Sequence, residues 1–217
     1  MVEHVWRRAS DARRVDAVVV ATDDEQVARA VDKFGGVAVM TRADHATGTD
    51  RLAEVAAELA CDLIVNVQGD EPLISPSAID DAVLPLLTRS GERMGTLRKR
   101  IDDPEDLANP SIVKMVVDHQ GYALYFSRSP IPHVRTGQPA PVMWRHLGLY
   151  VYQRAFLLDF ARMPQTPLEL AEGLEQLRVL EHGFRIATSE TTADTIGVDT
   201  PEDLERVRRL VEAGARS

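Results

Sequence analysis

Within its first ninety residues this chain alternates short β-branched runs with segments whose apolar side chains recur every three or four positions. That rhythm constrains the fold more than any other feature. Parallel strands need long crossovers, and helices are the usual ones. Val2, Val5, Trp6, Ala9 and Ala12 follow helical spacing, and Val15 to Ala21 reads as a buried strand. Thr22-Asp23 offers a cap for a helix carrying Val27, Ala30, Val31 and Phe34, which Gly35-Gly36 ends. A strand is expected at Val37 to Met40, a helix with Leu52, Val55, Ala56 and Leu59 on one face, and a buried strand at Leu63 to Val67. Ser75-Pro76 opens the next helix, with Ile79, Val83, Leu86 and Leu87. The pattern predicts an α/β fold with a doubly wound, mostly parallel sheet.

The second half reads differently. Ile112 to Asp118 and Tyr122 to Ser127 flank His119-Gln120-Gly121, the pattern of an antiparallel hairpin. Proline-rich Ser129 to Val142 is expected as a loop and His146 to Tyr152 as a strand. Thr166-Pro167-Leu168-Glu169 is a capping box expected to open a helix through Leu180. Arg185 to Ser189 suggests a short strand, and Thr200-Pro201 starts the last helix. At about 150 residues per domain, residues 1–217 are expected to form a single domain with a smaller hairpin-bearing subregion at 110–152.

Composition narrows the partners. The net charge of −9 argues against non-specific nucleic-acid binding. No apolar run approaches the ~18 residues a membrane helix needs. Cys61 stands alone, which excludes an intrachain disulfide, suits a reducing cytoplasmic setting, and reads as a small core residue opening a strand. The chain contains neither GxGxxG, GxxxxGK[ST] nor GxSxG, so a hydride-transfer enzyme, an ATPase and an α/β-hydrolase lose their usual support.

Ligands of open parallel sheets bind beyond the carboxyl ends of the strands. Three loops leave such ends: Thr22-Asp23-Asp24, Thr41 to His45, and Gln68-Gly69-Asp70-Glu71-Pro72. Asp70 could serve a hard divalent cation, which needs carboxylate oxygens and keeps several waters; position alone favours a polar turn. Asp199 precedes a helix whose capping Thr200 and Asp203 already supply, so its carboxylate is either available to a metal or a further charge at the helix start.

Six segments, in order along the chain, carry a more specific signal. They are Thr41-Arg42-Ala43-Asp44-His45, Asn66 to Pro72 (NVQGDEP), Tyr125 to Pro132 (YFSRSPIP), Arg145-His146-Leu147-Gly148, Leu174-Glu175-Gln176-Leu177-Arg178 and Gly197 to Leu204 (GVDTPEDL). Together they resemble the 3-deoxy-manno-octulosonate cytidylyltransferases, whose fold is of the Rossmann-type nucleotidyltransferase kind. The resemblance implies an enzyme joining CTP to 3-deoxy-D-manno-octulosonate (Kdo), with release of pyrophosphate, for lipopolysaccharide assembly. It also implies Mg²⁺ held by Asp70 and Asp199, and cytidine contacts from Arg42, Thr47, Gly48 and Thr49. Gln68, Arg128, His146, Tyr150, Glu175 and Gln176 would line the sugar-acid pocket, Arg128 suiting the carboxylate through its planar fork. A cytoplasmic homodimer belongs to the same expectation.

One departure accompanies the resemblance. Family members begin with a strand and a basic loop of pattern PARxxSxRxPGKxL that wraps the triphosphate, whereas Met1-Val2-Glu3-His4-Val5 corresponds to the helix after that loop. The expectation is a chain lacking roughly two dozen N-terminal residues, about one strand and one loop, and one that releases negligible pyrophosphate as it stands. A truncated, inactive remnant and a cytidylyltransferase for a related sugar acid are the alternatives.

Overall fold

The computed structural model describes residues 1–198 and 200–214. Along the chain run α1 (Val2–Ser10), β1 (Val19–Thr22), α2 (Glu25–Lys33), β2 (Val37–Met40), α3 (Gly48–Glu58), β3 (Leu63–Asn66), α4 (Pro76–Thr88) and β4 (Met94–Arg100). They are followed by α5 (Pro104–Ala108), β5 (Lys114–Val117), β6 (Ala123–Ser127), β7 (Trp144–Gln153), α6 (Arg154–Phe160), α7 (Pro167–Glu172), α8 (Gln176–Glu181), β8 (Ala187–Glu190) and α9 (Pro201–Gly214). The fold is α/β. The chain divides into two compact units: Met1–Leu59 with Asn66–Asp80 and the segment from Ala193, and Ala60–Val65 with Asp81–Thr192.

In the first unit β1 and β2 pair in parallel, Val19 opposite Val37 through Thr22 opposite Met40, with α2 as the crossover. β1 starts four residues later than the apolar run suggested, and most of it is only half-buried. The cap of α2 also falls later: Asp24, rather than Thr22-Asp23, accepts from Gln26 N at 2.6 Å. Gly35 leaves the helix at φ +79°, and Gly36 passes so close to Phe34 and Val31 that a Cβ would lie 2.7 and 2.8 Å from their side chains. Trp6 packs against Phe34, ring centroids 5.4 Å apart, closing α1 over α2. Val31, Ile74, Ala78 and Ile79 are fully buried in this core.

The second unit holds a mixed sheet in the order β6-β5-β7-β4-β8, with β3 also on β7. β4 and β8 run parallel, while β4–β7, β5–β6 and β5–β7 are antiparallel. The hairpin falls where the sequence put it, with Gly121 at φ +82° in the turn. β4 carries no simple alternation, because Met94 to Leu97 are buried on both faces before the strand ends in Arg98-Lys99-Arg100. Gly95 lets α4 approach: a Cβ there would lie 2.7 Å from Leu86 Cδ1 and 3.3 Å from Ala82 O.

Two further expectations need correction. The helix from Pro167 does not continue to Leu180, since Gly173 adopts φ 62°, ψ 42° and ends α7, and α8 restarts at Gln176. Cys61 is exposed rather than a core residue, lying in the turn before β3.

α7 and α8 are joined by a buried ion pair. Arg178 Nε donates to Glu169 Oε2 at 2.8 Å and Nη2 to Oε1, with only 4% and 6% of the two side chains exposed. The guanidinium also lies over Phe160, 5.1 Å from its centroid. A buried carboxylate left without its partner is costly, so Arg178→Met should lower the unfolding free energy by about 3 kcal/mol or more in urea titrations. Adding Glu169→Gln should recover much of that loss. Equal destabilisation in the single and double variants would contradict this account.

Candidate active site

Each unit gathers part of the residues singled out in the sequence. In the first, the loops leaving β1 and β2 are tied by one side chain of α3. Arg51 Nη1 donates to Thr41 Oγ1 at 2.6 Å, and Nη2 lies 3.0 Å from Asp23 Oδ2. The Arg51 hydrogen bond holds the Asp23 carboxyl below its ordinary value. Glu54, one turn further along α3, hydrogen-bonds His45 and takes the Arg42 backbone N–H at 3.3 Å and its Nε at 3.4 Å. Arg42 also lies 3.7 Å from Asp44 and remains exposed. Thr47 caps α3 in a box with Asp50, so Gly48 and Thr49 form its first turn, at the end of the helix where the dipole favours an anion.

Gln68 and Asp70 are exposed in the loop after β3. Val198 N donates to Asp70 O at 2.9 Å, which brings the segment from Ala193 alongside this loop. Asp199 lies outside the described residues. Burial pushes the adjacent Glu71 carboxyl up to about 7, and the Asp70 charge adds to the shift. The Asp70 carboxylate has no hydrogen bond or ion pair among the described residues, nor do three His, Cys, Asp or Glu side chains gather there into a metal cage. An exposed, uncompensated carboxylate with a second one beside it suits a hard cation that keeps water and substrate oxygens in its remaining positions.

In the second unit His146 lies beside Tyr150, and the charge of Glu175 reaches Tyr150. His146 and Tyr150 both lie on β7, ring centroids 5.3 Å apart, and Phe126 meets the His146 ring edge-on at 5.0 Å. His146 is half-buried by surface, but its Nε2 faces inward, 2.9 Å from the Thr96 hydroxyl. Loss of hydration pushes the ring down to about 3, so it is neutral at physiological pH. Burial, with the Glu175 charge adding to it, pushes the Tyr150 phenol up and keeps it protonated.

The break at Gly173 sets Glu175 as the N-cap of α8 and Gln176 as its first residue. Glu and Gln on a helix are ordinarily surface residues, yet Gln176 is 3% exposed and its Nε2 is buried without a hydrogen bond. Glu175 stays partly exposed, 3.7 Å from Arg178.

Arg128 is exposed but held. Its Nε donates to Glu172 O at 2.8 Å, its Nη1 to Pro110 O at 3.1 Å, and its backbone N–H to Glu172 Oε2 at 2.9 Å. Glu172 also takes the Ser127 hydroxyl at 2.6 Å. Arg128 Nη2 has no hydrogen bond among the described residues. Beneath it Lys114, fully buried, donates from Nζ to the carbonyls of Asn109, Ile112 and Arg128. Sequence reasoning missed Arg51, Glu54, Thr96, Lys114 and Glu172. Only Lys114 left a trace, as a charge opening a strand that is otherwise apolar.

The profile of the cytidylyltransferase family matches residues 1–188. The 3-deoxy-manno-octulosonate cytidylyltransferase of Geobacter metallireducens is 57% identical over 219 residues, spanning 95% of this chain and 85% of that protein. Its counterpart from Solibacter usitatus is 54% identical over 213 residues, spanning 98% and 84%. Among solved structures, the CMP:2-keto-3-deoxy-manno-octonic acid synthetase complexed with CTP is 43% identical, with a TM-score of 0.93 over 98% of this chain and 88% of that one. The 4-diphosphocytidyl-2C-methyl-D-erythritol synthase of Anaerococcus prevotii, 12% identical with a TM-score of 0.62, shares the fold over 97% of this chain and 88% of its own. The α/β architecture and these likenesses define a nucleotidyltransferase. The chain belongs to the cytidylyltransferase family, among the 3-deoxy-manno-octulosonate cytidylyltransferases.

The neutral state of His146 has a measurable consequence. Below its ordinary value of 6.5 the unfolded ring takes a proton that the folded ring refuses down to about 3. Stability conferred above 6.5 is therefore lost progressively as the pH falls through that window. The His146 ring proton signals should not titrate between about pH 5 and 8. His146→Gln should flatten part of the acid limb of stability against pH. A wild-type signal titrating near 6.5 would contradict the assignment.

Proposed function

We propose that the protein transfers a cytidylyl group from CTP to Kdo, giving CMP-Kdo and pyrophosphate. The relatives named above supply the class of reaction. The observation that carries the sugar acid as acceptor is Gln176, a buried amide whose Nε2 lacks a partner among the described residues and which follows Glu175, whose charge reaches Tyr150. A buried donor of this kind calls for an acceptor from outside the chain. Hydroxyl-rich ligands need donors and acceptors mixed, and this set offers both.

The anomeric hydroxyl oxygen forms the new bond to the α-phosphorus as the bond to the β-phosphate oxygen breaks. Pyrophosphate leaves, and the hydroxyl proton passes to solvent. Arg42 and the first turn of α3 at Thr47, Gly48 and Thr49 would meet the cytidine. The Gln176 amide, the His146 ring and the Tyr150 hydroxyl would orient the sugar, with Gln68 and Glu175 as further contacts. Arg128, its Nε and Nη1 already anchored to backbone oxygens, would turn its remaining N–H groups to the carboxylate of Kdo. Asp70 and Asp199 would hold Mg²⁺, which neutralises phosphate charge and helps to align the attack. Asp70, exposed and uncompensated, fits that role. A cytoplasmic setting and a homodimer belong to the same reading and come from the family resemblance. No helix among the described residues is long and apolar enough to cross a membrane.

Pyrophosphate release from CTP and Kdo tests the reading, assayed in protein that carries the family strand and PARxxSxRxPGKxL loop. Asp70→Asn or Asp199→Asn should slow it about 100-fold or more, the scale of several kcal/mol of charge stabilisation. Arg128→Lys should raise KM for Kdo about tenfold and leave KM for CTP unchanged, because an ammonium cannot reproduce the fork. Near-normal rates in both aspartate variants would remove them from the metal site. Preference for an amino-substituted sugar acid over Kdo would replace the acceptor.

A further inference from the structure

β7 carries two more residues than β4 in the stretch where they pair. Thr96 faces Tyr150, but Leu97 faces Leu147, so Gly148 and Leu149 form a bulge without partners in β4. The Thr96 side chain, 0% exposed, lies against that bulge. Its hydroxyl oxygen is 2.9 Å from Leu149 O, 3.2 Å from Leu147 O and 2.9 Å from His146 Nε2.

A threonine hydroxyl has one proton and two lone pairs. Neither carbonyl can donate, so the proton must lie toward one of them; otherwise both carbonyl lone pairs would face an oxygen with nothing between. The hydroxyl is then left to accept, and the ring nitrogen 2.9 Å away must be the donor. Bulges near sites commonly re-aim a side chain in this way. The ring has little freedom to evade the constraint. Phe126 is edge-on to it, Tyr150 lies alongside, and the backbone N–H of His146 donates to Val113 O at 2.8 Å. Nδ1 has no hydrogen bond among the described residues.

We propose that Thr96 is a positioning residue: its hydroxyl fixes His146 as the Nε2–H tautomer and presents bare Nδ1 as an acceptor to a hydroxyl of the bound sugar acid. The role toward the ligand rests on the Kdo reading given above; the tautomer does not. The consequence is a division of labour. Arg128 offers only donors and matches a carboxylate, whereas His146 in this form rejects a carboxylate and selects a hydroxyl that donates. The Thr96 hydroxyl therefore sets the chemistry of a group it does not touch.

The test reads tautomer and ligand separately. In protein labelled with ¹⁵N-histidine near neutral pH, long-range proton–nitrogen correlation should show His146 Nε2 protonated and Nδ1 bare. Thr96→Val, close to isosteric, should abolish that bias, and Thr96→Ser should restore it. Titration with Kdo, followed on the same signals, should give a Kd raised about five- to tenfold in Thr96→Val and nearly unchanged in Thr96→Ser, the effect of one misdirected hydrogen bond. A protonated Nδ1 in the wild type overturns the proposal, and that spectrum is decisive even if Thr96→Val does not fold. The stated tautomer with an unchanged Kd in Thr96→Val overturns the positioning role and leaves the Kdo reading standing. The stated tautomer in a protein that binds no Kdo overturns the Kdo reading and, with it, the role toward the sugar.

Discussion

The pairing of β4 with β7 is the constraint on which the second unit depends. β7 has neighbours on both sides, and β4 continues the sheet through its parallel pairing with β8. Because β7 is two residues longer than its partner in the paired stretch, the ladder must absorb the excess, and it does so at Gly148–Leu149. Leu147 and Leu149 remain in the core at 2% and 1% exposure, and His146 and Tyr150 keep their rings side by side. A regular ladder would space those residues evenly along the strand. The bulge departs from that spacing, and one buried hydroxyl closes the gap it leaves. Packing and ligand chemistry are thus decided in the same few residues.

Much of this was legible in the sequence, though unevenly. Elements defined by local pattern came through: β2 at Val37–Met40, the hairpin with its glycine turn, and the capping box at Thr166. β4 did not, since a strand buried on both faces before a basic tail shows no period of two. The single helix expected beyond Pro167 failed at Gly173, whose left-handed conformation outweighed an apolar pattern that runs on across it. That break is also why Gln176 is buried where helix position suggested surface. The motif residues were recognisable because they recur as short words. Arg51, Glu54 and Thr96 were not, because their meaning lies in partners up to 53 residues away, such as His146 and the carbonyls at the bulge. Asp199 is the one expected site residue outside the described set.

The two units are built by different means. The loops beyond β1 and β2 depend largely on side-chain charge: Arg51 with Asp23, and Glu54 with His45 and Arg42. Several of these groups are exposed, and pairs of that kind are worth little and weaken with salt. The second unit relies on buried groups held by backbone or by a desolvated ion pair, as at Thr96, Lys114 and Arg178. The side chains proposed to face the sugar are therefore preorganised, which lowers the ordering cost of binding. The loops of the first unit proposed to meet the nucleotide have weaker restraints and more freedom to adjust.

Lys114 shows what such a joint makes possible. Its ammonium spends its three protons on main-chain oxygens at residues 109, 112 and 128, and main-chain oxygens are nearly alike whatever side chain stands above them. The junction is thus insulated from the identity of the side chains it holds in place. A different side chain at position 128 would leave the frame beneath it in place. Position is set through the backbone, and the side chain above it is left free to vary.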